Sequence, residues 1–125
     1  MEELPLDMEA VIESCVEEFH MRAYGDPVLS RLFVEAVPNV AEHLRRVCDF
    51  WSHVLLASGR YSGSPYSAHA GLALAPEHLD RWMAHFRDAV RRTMPEGYAE
   101  QAVAKADQIL SGLRAGLPAA PQATA

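Results

Sequence analysis

The sequence predicts an all-α fold, on three observations. Apolar residues recur at helical spacing along most of the chain. No stretch of any length alternates with period two, as a half-buried strand would. Proline and glycine clusters interrupt the pattern at intervals of one helix length.

The elements follow in order. Asp7 is a side-chain cap for a first helix, with Glu9 well placed in its first turn. Ile12, Cys15, Val16, Phe19 and Ala23 mark its buried face, and Gly25-Asp26-Pro27 stops it. A short segment, Val28 to Phe33, comes next. Pro38 is expected to open a further helix, whose inner stripe is Val40, Leu44, Val47, Trp51, Val54 and Leu55. Residues 59–65, Gly-Arg-Tyr-Ser-Gly-Ser-Pro, have loop chemistry, and a short helix is expected over Tyr66 to Ala70. Pro76 opens the next helix, with Leu79, Trp82, Met83, Phe86 and Val90 inward, and Pro95-Glu96-Gly97 breaks it. The last helix is expected from about Tyr98 to Leu117, on Val103, Ala106, Ile109, Leu110 and Leu113. Residues 1–117 read as one domain and residues 118–125 as a low-complexity tail.

Composition narrows the function classes. The chain has 125 residues, half of them hydrophobic, which is enough for one core. Eleven Lys and Arg against 17 Asp and Glu leave a net charge of -6, which repels phosphate backbones and argues against nucleic-acid binding. No apolar run approaches the roughly 20 residues that span a bilayer. The first residues lack the pattern of a signal peptide, so a soluble, cytoplasmic protein is expected. Cys15 and Cys48 are too few for a disulfide scaffold or a zinc finger.

Six histidines stand out. On a helix turning about 100° per residue, Val47 lies about 40° from His43, and Phe50 and Val54 about 20° either side. His43 thus falls on an apolar stripe, where an unpartnered ring costs roughly 1–3 kcal/mol. A nearby carbonyl is the common solution, and a ligand is the alternative. His20 sits at the rim of the first apolar face, where a half-exposed boundary residue is the ordinary reading. His69 lies among small residues between two long helices, a place for a connector histidine or for a ring offered to a metal. His53, His78 and His85 read as solvated or boundary residues. Trp51 reads as core, and Trp82 sits at a stripe edge where its indole N–H can face a cavity. Arg45-Arg46 and Arg91-Arg92 are short basic pairs free to meet carboxylates. No zinc-protease helix, di-iron pair, phosphate-binding glycine loop or Gly-x-Ser-x-Gly turn is present.

Taken in order, these residues resemble a known family. His43-Leu44-Arg45-Arg46-Val47-Cys48-Asp49-Phe50-Trp51 is followed by Tyr61-Ser62-Gly63-Ser64-Pro65, then His69, then His78-Leu79-Asp80-Arg81-Trp82. The set is similar to the group III truncated haemoglobins, and Phe19, Asp26-Pro27 and Leu32-Phe33 extend the match over about residues 8 to 115. The resemblance implies a globin-like two-over-two helical sandwich around haem b. It pairs the first long helix with the one from Pro38, and the one from Pro76 with the last. It makes His69 the proximal iron ligand, His43 the distal histidine and Trp82 the distal tryptophan. Phe33 matches the phenylalanine that packs on haem, and Phe19, Val47, Phe50 and Leu79 would line the slot. Arg46 and Tyr61 are placed to reach the propionates. The family commonly has a distal tyrosine after the matching phenylalanine, and this chain has His20 there. His20 is then either a ring N–H donor to bound ligand or, like His43, a possible iron ligand in a bis-histidine form.

The implied function is binding of a diatomic gas: oxygen, carbon monoxide or nitric oxide. One alternative is a nitric oxide dioxygenase or peroxidase-like enzyme, which would need a separate reductase because the chain has no flavin or nicotinamide domain. The other is a haem-free helical interaction module.

Overall fold

The computed structural model describes residues 7–65, 69 and 74–116. Five helices and no strand are found among them. The expected tail and the short helix around His69 lie outside the described residues, His69 itself excepted.

Helix α1 spans Met8–Tyr24. Asp7 caps it as expected, accepting from the Ala10 N–H at 3.2 Å. Helix α2 spans Pro27–Ala36, longer than the segment read from sequence. Asp26 caps it through the Val28 N–H at 2.9 Å, and Pro27 takes the first turn, where no N–H is needed. No breaker intervenes until Pro38, which disfavours helical geometry in the residue before it.

Helix α3 spans Val40–Leu56. Its cap is Asn39, which accepts from the Glu42 N–H at 3.0 Å, so Pro38 lies ahead of the helix instead of opening it. Helix α4 spans Pro76–Thr93, with proline in the first turn as expected. Helix α5 spans Glu96–Gly116 and starts two residues before the expected Tyr98, because Pro95 and Glu96 suit a helix start. The Pro95 carbonyl accepts the first helical bond, from the Ala99 N–H at 2.8 Å.

The expected pairings are present: α1 packs on α3, and α4 on α5. The most extensive contact is α1 against α4, which joins the two pairs. The expected two-over-two sandwich is therefore the observed one. At the joint, Phe86 stacks between Trp51 and Trp82, with ring centroids 5.0 Å apart on both sides. Phe19 meets Trp82 edge-on at 4.9 Å. Trp51 is 3% exposed, the core residue its position predicted.

Asp26 also ties the α1–α2 turn to α4. Arg81 Nη1 reaches its carboxylate at 3.1 Å and His85 Nε2 at 2.9 Å. His85 is therefore an anchored boundary residue, half-buried against Asp26. Arg91 and Arg92 do find carboxylates, at Asp88 and Glu18. Both cysteines are free, Cys15 buried and Cys48 half-buried, and burial pushes the Cys48 thiol up to about 11. Among the described residues no helix is long and apolar enough to cross a membrane.

Candidate functional site

Between the helix pairs lies a cavity of about 440 Å³, within the range of cofactor sites. Its walls are mostly apolar side chains. Helix α1 contributes Phe19 and His20, α2 contributes Phe33, and α3 contributes His43, Arg46, Val47 and Phe50. The segment after α3 contributes Tyr61 and His69, and α4 contributes Leu79 and Trp82. These are the eleven residues singled out from sequence, and the fold brings all of them to one cavity.

Local sequence explains how they converge. Phe19 and His20 are neighbours on the buried face of α1, so one ring enters the core edge-on to Trp82 while the other turns to the cavity. His43, Val47 and Phe50 share the α3 stripe read from the 3.6-residue period. Arg46 is exposed and Tyr61 half-buried, with the Tyr61 ring held edge-on against Phe50 at 5.1 Å.

The polar groups are histidines, and their hydrogen bonds fix their chemistry. His69 Nδ1 lies 2.6 Å from the Pro65 carbonyl. His20 Nδ1 lies 2.8 Å from the Val16 carbonyl one turn back in α1. A carbonyl oxygen only accepts, so both Nδ1 atoms carry the proton. A neutral ring then keeps a bare lone pair on Nε2. His20 is 5% exposed, and its ring meets His43 at 5.1 Å and Phe33 at 5.7 Å between centroids. Burial, opposed by the Val16 bond and reinforced by His43, lowers His20 to about 4. Burial, then His69 and Arg46, also lowers His43. Burial thus favours the neutral form of both rings.

His78 is a boundary residue, one of the two readings its position allowed. It is half-buried and lines the cavity, and its Nδ1 accepts from the Ala75 N–H at 2.8 Å at the start of α4. Its capping role was not read from sequence, although its place three residues after Ala75 was the available signal. His53 is exposed, as expected. Sequence reasoning also left out Trp51, Phe86, Ile109, Leu110 and Leu113 as cavity walls, placing them in the core or on inner helix faces. An apolar stripe reads the same whether it faces a side chain or a cavity.

A family model of bacterial-like globins matches residues 6–112. The chain belongs to the bacterial-like globin family. Among curated proteins, this globin is similar to the group 3 truncated hemoglobin ctb of Campylobacter jejuni subsp. jejuni serotype O:2. The two are 26% identical over 105 residues, 80% of this chain and 83% of that protein. Among solved structures, a crystal structure of a group III truncated hemoglobin from Campylobacter jejuni superposes with a TM-score of 0.80. It is 24% identical and covers 94% of this globin and 95% of its own chain. The expected resemblance and fold class are both borne out.

Globins are haem proteins, so family membership implies haem for this cavity. The donor set fits that group. A metal-binding histidine characteristically donates its other N–H to a carbonyl or carboxylate, which sets the tautomer and orients the ring. His69 has that arrangement, in a cavity otherwise apolar enough to take a porphyrin.

Proposed function

We propose that this globin holds haem b through His69 and binds a diatomic gas, oxygen, carbon monoxide or nitric oxide, on the iron. The observation that carries the reading is the Nδ1–H bond from His69 to the Pro65 carbonyl, which leaves Nε2 free for a metal in an apolar cavity. When bound, haem would supply an iron able to exchange small ligands. The apolar walls would keep water from that iron, and Phe33 and Phe19, which line the cavity, would pack against the porphyrin. Arg46 and Tyr61, nearer the surface, are suited to the propionates as a cation and a hydroxyl. His20, His43 and Trp82 set the polarity on the ligand side. Bis-histidine coordination, with His20 or His43 as the sixth ligand, belongs to the same reading.

The test is an absorption spectrum. Wild-type protein reconstituted with haem and reduced should show a Soret band that moves with carbon monoxide. His69→Ala should keep its helical circular dichroism, lose haem on gel filtration, and regain it with added imidazole. Unchanged haem retention and gas affinity in His69→Ala would overturn the assignment.

A further inference from the structure

We propose that His20 is a fixed hydrogen-bond acceptor in the ligand pocket. The pocket therefore selects small ligands that bring an N–H or O–H of their own, such as amines and hydroxylamine. On the His20 side it disfavours ligands that can only accept, such as fluoride, while dioxygen would take its hydrogen bonds from His43 and Trp82. This inference rests on the haem reading for its ligands, but not for the state of the ring.

The argument starts at the Val16 carbonyl. Its oxygen sits 2.8 Å from His20 Nδ1, and both atoms are buried. Moving the proton to Nε2 would set a nitrogen lone pair against that oxygen and break a buried hydrogen bond, the costly kind to lose. The proton on Nδ1 is therefore committed to the helix. A second proton, on Nε2, would charge a ring that is 5% exposed among Phe19, Phe33 and the neutral His43. His20 lines the cavity, and with Nδ1 engaged the nitrogen it has left to offer there is the bare Nε2.

The neighbouring groups are of the other kind. The Trp82 indole can only donate, and His43 has no such carbonyl tie among the described residues, so it is free to present an N–H. The pocket thus pairs one fixed acceptor with two available donors. A phenol in place of His20 would donate instead. Each good hydrogen bond in such a site changes affinity by up to about tenfold, and a lone pair facing another lone pair reverses the sign.

The first arm of the test uses haem-free protein labelled with ¹⁵N-histidine, with His20→Gln to assign the ring. Near pH 7, His20 should show a protonated Nδ1 and an unprotonated Nε2. A proton on Nε2 would overturn the proposal. The second arm titrates the ferric haem-loaded protein with methylamine and with fluoride at one fixed pH. His20→Tyr should lower the ratio of methylamine to fluoride affinity by about tenfold or more. His20→Phe, which removes the acceptor without adding a donor, should weaken methylamine. A ratio unchanged in both variants would overturn the preference. Failure to take up haem would sink the proposed function and the ligand preference together, while the ¹⁵N result still decides the state of the ring.

Discussion

Asp26 illustrates how a single side chain can hold two elements. Its carboxylate is 6% exposed, and each oxygen has a partner. His85 and Arg81 donate from α4, and the Val28 N–H donates from the start of α2. The His85 bond first, then the Val28 and Arg81 bonds, hold its pKa at about 2 against the opposing effect of burial. The folded value lies below the ordinary 3.8, so the stabilisation is complete above that value and is lost as pH falls towards 2. Urea midpoints measured from pH 5 to pH 2 should therefore drop most steeply below pH 4. Asp26→Asn should flatten that part of the profile and cost roughly 1–3 kcal/mol at pH 7. A variant profile as steep as the wild type would refute the role. Periodicity showed Asp26 as a turn residue and His85 as an outer-face histidine. It could not show their pairing, because 59 residues separate them and only the packing of α1 on α4 brings them together.

Helices were the most legible part of the sequence, because the signals that start them are local. Asp7 and Pro76 act within a turn of their own positions, and the structure uses both as expected. Boundaries slipped where two starters competed. Asn39 can accept a main-chain N–H and Pro38 cannot, so the side chain that satisfies a free donor sets the start of α3. The end of α3 has a feature no pattern announced. Ala57 takes the left-handed conformation, with φ 54° and ψ 38°, which turns the chain out of the helix just after its N–H has made the last bond, to the His53 carbonyl. That geometry costs a residue with a Cβ roughly 1–2 kcal/mol, and glycine is free of the penalty. Glycine also gives the unfolded chain more freedom, which offsets part of the gain. Ala57→Gly should therefore raise stability by about 0.5–1 kcal/mol, read as a higher urea midpoint at unchanged slope. A lower midpoint would mean that the left-handed cap is not formed in solution.

At the scale of the whole molecule, the core and the cavity share walls. Trp51, Phe86 and Leu79 are each 3% exposed and belong to the main hydrophobic cluster, yet each also lines the cavity. Periodicity marked all three as inward; only Leu79 was also read as a cavity wall, and that from the family resemblance. That distinction arises only when α1, α3, α4 and α5 are set at their mutual distances. One consequence is thermodynamic. A group that fills the cavity binds the folded chain and not the unfolded one, so it adds about 2.7 kcal/mol when its free concentration is 100 times its dissociation constant. Haem-loaded protein should melt well above haem-free protein, and the gap should shrink in His69→Ala. Phe86 tests the shared wall directly. It stacks on Trp51 and Trp82, and Phe86→Ala would remove both contacts and enlarge the void, at about 3–5 kcal/mol. Because the same ring walls the cavity, stability and haem affinity should fall together in this variant. Loss of one without the other, in urea unfolding of the haem-free chain and haem titration of the folded one, would show that core and cavity are separate after all.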